Sequence, residues 1–129
     1  MKRLVPWEGS KSGDYLVVVT DPRPKSAELR TAMKRLSGAL PPDKLKKCLV
    51  INTDTPAENR RFIKKNLEES PLNIMCDENL EWMREYTALG EKRFSMTMFV
   101  LKEGRVEKLA REVEAESLAM AVTNAIRGL

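Results

Sequence analysis

The sequence predicts an α/β fold, a central mixed sheet of about five strands with helices on both faces, in the order β-α-β-α-β-α-β-β-α. Three observations carry this. Two short, continuous, apolar runs, Tyr15-Leu16-Val17-Val18-Val19 and Cys48-Leu49-Val50-Ile51-Asn52, suit strands buried on both faces. Between and after them apolar residues recur with the period of a helix. Near the C-terminus two strand-like runs flank Lys102-Glu103-Gly104-Arg105, which reads as a tight hairpin turn.

Taken in order, residues 1–14 are polar and interrupted by Gly9, Ser10, Ser12 and Gly13, so they read as an arm before a single domain over 15–129, with Pro6-Trp7 placed to dock back on it. The first strand ends at Thr20-Asp21-Pro22. Leu29, Met33, Leu36 and Leu40 then line one side of a helix that Ser26 caps and Pro41-Pro42 stops. After the second strand, Thr55-Pro56-Ala57-Glu58 supplies the N-cap, N1 proline and N3 glutamate of a capping box. The helix it opens carries Phe62, Ile63 and Leu67 inward and ends before Ser70-Pro71. Leu72-Asn73-Ile74-Met75-Cys76 is a third strand, Asp77 caps a helix holding Leu80, Met83 and Leu89, and Gly90 closes that helix. Residues 96–101 and 106–113 form the antiparallel hairpin, and Leu118, Val122, Ala125, Ile126 and Leu129 stripe a last helix.

The 129 residues hold no histidine and two cysteines. That excludes histidine-dependent nucleophilic catalysis, histidine metal ligands and a four-thiolate zinc site. No apolar run approaches the roughly 20 residues of a membrane span, and the first residues lack the apolar core of a secretory signal, so an intracellular protein is expected, in the cytosol or inside an organelle after loss of a targeting peptide. In such an alternating fold, chemistry sits beyond the carboxyl ends of the parallel strands. The loops at 20–25, 53–56 and 76–79 reach that place.

The order and several segments resemble the thioredoxin superfamily, in particular its peroxiredoxin-like and TlpA-like branches, over residues 15–129. The segments are Val17-Val18-Val19-Thr20-Asp21-Pro22-Arg23-Pro24-Lys25-Ser26, the strand, aspartate and helix of residues 73–86, and Phe99-Val100-Leu101-Lys102-Glu103-Gly104-Arg105-Val106 before the last helix. The resemblance implies a thioredoxin-like fold without a cofactor. The family's chemistry needs a thiolate at the first turn of the first helix, where the helix N-terminus stabilises the anion. Here Arg23, Pro24, Lys25 and Ser26 occupy those positions, so the turn reads as degenerate and no catalytic residue is carried over.

Candidate residues remain outside that turn. Cys76, at the end of a strand and before a helix cap, is a candidate thiol on the functional rim, with Asp77 and Glu78 opposing its ionisation. Cys48, beside Lys46 and Lys47, is the second candidate thiol, although a buried small apolar residue is the commoner role, and a disulfide between the two is disfavoured by their separation. Arg23 and Lys25 at a helix start could form an anion site, but the usual glycines are absent and a solvent-exposed or protein-docking loop is the commoner role for such a turn. The basic clusters at 44–47 and 60–65 read as solvated helix faces, because Glu58, Glu68 and Glu69 interleave and no aromatic residue provides a stacking platform, which argues against nucleic acid. Met75, Met83, Met96, Met98 and Met120 read as core fillers. Trp82, off its helix's inner stripe, together with Met83, Tyr86 and Trp7, is the candidate interface with a protein partner. The preferred expectation is a redox-inactive interaction scaffold, an accessory subunit of a larger assembly. The alternative is an atypical thiol oxidoreductase or peroxidase using Cys76 or Cys48.

Overall fold

The computed structural model describes residues 17–67, 70–85, 96–102 and 105–127. Strand β1 (Val17–Thr20) lies at the centre of a five-stranded sheet of order β3-β2-β1-β4-β5. β2 (Cys48–Asn52) and β3 (Asn73–Cys76) follow it on one side, all parallel, in a register that places Val18 beside Leu49 and Asn52 beside Cys76. On the other side β4 (Met96–Lys102) runs antiparallel to β1, and β5 (Arg105–Val113) closes the edge antiparallel to β4, with Lys102 paired to Arg105. The fold is therefore the expected α/β, thioredoxin-like one. The arm at 1–14, Gly90, Gly104 and Leu129 lie outside the described residues.

The helices start where the local chemistry directs. Ser26 Oγ accepts from the Leu29 amide at 3.2 Å and opens α1 (Ala27–Ala39). The predicted capping box is formed in full at Thr55 and Glu58 and opens α3 (Pro56–Phe62). Three features depart from expectation. Pro41-Pro42 stops α1 but also begins a short helical turn, α2 (Pro42–Leu45), since proline's fixed φ suits a first helical position and Leu45 gains a buried site. The end of the third helix, Ile63–Leu67, winds as a π turn continuous with α3. Helix α4 (Glu81–Glu85) begins four residues after Asp77 rather than at it, with Asp77 Oδ2 accepting from the Met83 amide at 3.0 Å. α5 (Ala115–Arg127) completes the chain order.

Strand alternation divides the core in two. Val17, Val19, Cys48 and Val50 face a layer formed by α1, α3 and α5, packed on Leu36, Phe62, Leu118 and Val122. Val18, Leu49, Ile51, Phe99 and Leu101 face the opposite way, toward Met83 of α4. Helices thus cover both faces, and the carboxyl ends of β1, β2 and β3 reach a common rim, where the Asp21 amide donates to Ile51 O and the Asp77 amide to Asn52 O.

Candidate functional site

Each parallel strand is followed at this rim by a buried aspartate, and each aspartate is engaged close by. Asp21, fully buried, accepts from the Arg23 amide at 3.0 Å and from its guanidinium at 2.9 and 2.8 Å, a bidentate clamp. That clamp, reinforced by Glu28, raises the already high pKa of Arg23. Asp54 accepts from Arg30 of α1 at 3.1 Å and from the Lys25 amide at 3.3 Å, which ties the turn before α1 to the turn after β2. Asp77 holds the start of α4.

The turn at residues 23–26 is thereby explained locally. Pro24 is exposed, Ser26 caps α1, and Lys25 adopts a left-handed conformation with φ of 49°, which its amide bond to Asp54 offsets. Arg23 is taken up by Asp21 and Glu28 and is not free to hold an anion at this turn, while the exposed Lys25 Nζ lies 4.0 Å from Glu58.

Cys76 presents a different arrangement. Asn52 and Cys76 are register partners on neighbouring strands, so their side chains share one face at the rim, and α3 passes over that face. Asn59 of α3 reaches down to both. It exchanges two hydrogen bonds with Asn52, Nδ2 to Oδ1 at 2.9 and 3.0 Å, and its Nδ2 also donates to Cys76 Sγ at 3.1 Å. The two amides are buried while the thiol is partly exposed. The thiol's pKa is raised above its ordinary value, chiefly by desolvation, with Glu78 and Asp54 adding to the rise and the Asn59 bond and Arg60 opposing it. Sequence reasoning anticipated Glu78 but missed Asn59. The available signal was an asparagine three residues before Phe62, on the inward side of a helix, facing a strand that itself ends in asparagine.

Cys48 opens β2 and is fully buried, its Sγ donating weakly to Lys44 O at 3.8 Å. Burial pushes its pKa up to about 12, so the neighbouring lysines do not favour the thiolate. Both cysteines are free thiols. Cys48 opens β2 whereas Cys76 ends β3 beside Asn52, so the two are offset along the sheet by four residues, about 13 Å at the strand rise of ~3.3 Å per residue.

Of the candidate interface, Trp7 and Tyr86 lie outside the described residues, as does the side chain of Trp82, and Met83 has no exposed surface, which agrees with its reading as a core filler and corrects its reading as an interface residue. Met96 and Met98 are buried as expected, whereas Met120 is corrected, since it lies 70% exposed on the outer face of α5. Among the described residues no cluster of His, Cys, Asp or Glu is arranged to hold a metal, and no helix is long and apolar enough to cross a membrane.

No protein-family model matches the chain, and no curated protein does. Solved structures match well. The Xanthomonas campestris bacterioferritin comigratory protein, described for its alkyl peroxide reduction activity, superposes with a TM-score of 0.71 at 20% identity, over 90% of this chain and 79% of its own. A cysteine-to-serine variant of Xylella fastidiosa PrxQ gives 0.74 at 16% identity over 91% and 79%, and Mycobacterium tuberculosis AhpC gives 0.62 at 12% over 93% and 73%. The fold is that of the peroxiredoxins.

These neighbours overturn the expectation of a redox-inactive scaffold and accessory subunit. The structures that share this fold over nine-tenths of the chain are peroxiredoxins, one described by the peroxide reduction it performs, and the chain retains two thiols within the shared fold. At such identities the likeness concerns the fold, so the choice between Cys76 and Cys48 rests on this chain's own geometry.

Proposed function

We propose that the chain is an atypical thiol oxidoreductase that reduces peroxides through Cys76. The observation that carries this reading is the hydrogen bond from Asn59 Nδ2 to the partly exposed Cys76 Sγ, at the carboxyl rim of a peroxiredoxin-like sheet. A thiolate at that position attacks one peroxide oxygen, the O–O bond breaks, and the thiol becomes a sulfenic acid as the other oxygen leaves as alkoxide and takes a proton from water. An external thiol condenses with the sulfenic acid, releasing water and leaving a mixed disulfide, and a second external thiol restores Cys76. Asn59 stabilises the sulfur's negative charge, while the buried Asn52–Asn59 pair fixes the direction of the donated hydrogen. With no histidine in the chain to act as base, thiol ionisation sets the rate.

The raised thiol pKa makes the activity slow near neutrality and faster as pH rises. The test is reduction of an alkyl hydroperoxide with dithiothreitol as the external thiol, for the unaltered chain, Cys76→Ser and Cys48→Ser. The reading expects activity in Cys48→Ser and none in Cys76→Ser. Activity lost only in Cys48→Ser would move the chemistry to the start of β2, and activity unaffected by either change would end the thiol reading.

A further inference from the structure

A groove of about 670 Å³, whose lining does not include Cys76, lies between α3 with its π turn and the segment that opens α1. Arg61, Lys64 and Lys65 form one wall, gathered by the helical spacing that sets residues three and four apart on a common face. Lys25 and Arg30 form the other wall, with Arg30 stacked over Phe62 at 5.9 Å from the ring centroid. The basic run at 60–65 is thus more than a solvated helix face, since it meets cations from a distant part of the chain across a concave surface.

Among the described residues, five cations and one carboxylate, Glu58, line this groove, and Glu58 already accepts from the Thr55 amide at 3.2 Å, leaving a 4.0 Å approach to Lys25. Asp54 holds one Nη of Arg30, but Nε of Arg30 is sealed from solvent without a hydrogen-bond partner among the described residues. Arg61, Lys64 and Lys65 form no ion pair among the described residues. Cations converging from two elements repel one another until an anion neutralises them, and guanidinium and ammonium donors together match phosphate oxygens.

We infer that this groove binds a small organic phosphate carrying at least two negative charges. Its volume lies within the range of ligand sites, roughly 300–1,000 Å³, and accommodates a phosphate group with an organic remainder of modest size. The site is separate from the thiol and does not depend on the thiol's reactivity.

Calorimetric titration of the full chain tests this, with inorganic pyrophosphate and ADP as probes, at low chloride. Both are expected to bind saturably at one site, more weakly as chloride rises. Arg61→Glu/Lys64→Glu is expected to weaken binding at least about tenfold by removing charge-assisted hydrogen bonds, whereas Lys46→Glu/Lys47→Glu, an equal charge change on exposed residues elsewhere, leaves it within about twofold. Because the reversed side chains are exposed, circular dichroism is expected to be unchanged, and Lys65→Ala, with a smaller loss of affinity, provides a second variant if it is not. No saturable binding, an equal loss in both charge-reversal variants, citrate binding as tightly as pyrophosphate, or a DNA duplex binding far more tightly than either phosphate would each overturn the inference.

Discussion

Replacing either member of the Asn52–Asn59 pair strands the other. The two side chains are 3% and 5% exposed and share two hydrogen bonds of 2.9 and 3.0 Å. In Asn59→Leu the Asn52 carbonyl and amide lose their partner in a place water does not reach. At about 1–3 kcal/mol for each buried unsatisfied group, less the gain from apolar burial, the single variant should lose about 3 kcal/mol. Asn52→Leu should lose a similar amount. Asn52→Leu/Asn59→Leu removes both members at once, leaves no orphaned amide, and should lose about 2 kcal/mol, so the cycle is expected to show a coupling of about 4 kcal/mol. Urea unfolding measures this, each single variant shifting the midpoint by about 2 M for a slope near 1.5 kcal/mol/M. The thiol gives a second readout. Asn59→Leu withdraws the donor from Cys76 Sγ and should slow its alkylation at fixed pH, and Asn52→Leu, which keeps the donor but removes the partner that orients it, should slow it less. Singles that add to the double within about 0.5 kcal/mol would refute the reasoning.

Arg23→Ala is expected to destabilise by about 3 kcal/mol, because it leaves the carboxylate of Asp21 buried without its counter-charge and held, among the described residues, only by the backbone amide of residue 23, and Asp21→Ala by less, since the 30% exposed Arg23 side chain turns to water; denaturant unfolding that ranks them in the opposite order contradicts the clamp. Cys48, whose pKa rises from 9.0 to about 12 on folding, favours the folded state fully below pH 9, and this contribution falls as pH climbs from 9 to about 12, where the unfolded chain ionises first. At about 1.4 kcal/mol per unit the loss approaches about 4 kcal/mol, and comparison with Cys48→Ala over the same pH range should show a flatter curve for the variant. Met83→Ala should cost about 2–5 kcal/mol by opening a cavity under α4, and Met120→Lys on α5 should stay within about 0.5 kcal/mol, both read from thermal or denaturant midpoints.

The fold was legible where one physical signal dominates. The runs at Val17–Thr20 and Cys48–Asn52 are buried on both faces and so are apolar throughout, and Thr55 with Glu58 spells out a helix start in four residues. It was less legible where signals compete. Pro41-Pro42 reads as a stop, yet proline at a first helical position also starts a turn, and nothing local marks the change from α to π winding at Ile63. Met120 lies two residues from both Leu118 and Val122, roughly half a turn around α5 from the buried stripe, so helix phase already turned it outward and reading it as a core filler from residue type alone missed this. The candidate site was legible in its sulfur and not in its amides. Cys76 stands out as a strand-end cysteine, whereas Asn52 and Asn59 acquire meaning only when register and helix phase bring them together. Arg23 likewise reads as a free cation until its partner two residues earlier is seen to be buried.

The central claim is that Cys76, held by Asn59, is the reacting thiol. Its most direct test is the rate of alkylation of each cysteine in the native chain, resolved by mass spectrometry from about pH 6 to about pH 10, spanning the ordinary thiol range near 8.5. Cys76 is expected to react in the folded protein, its rate rising about tenfold with each unit of increasing pH until its pKa is reached, while Cys48 reacts only on unfolding. A native Cys48 that reacts faster than Cys76, or a Cys76 protected until the chain unfolds, would contradict the account.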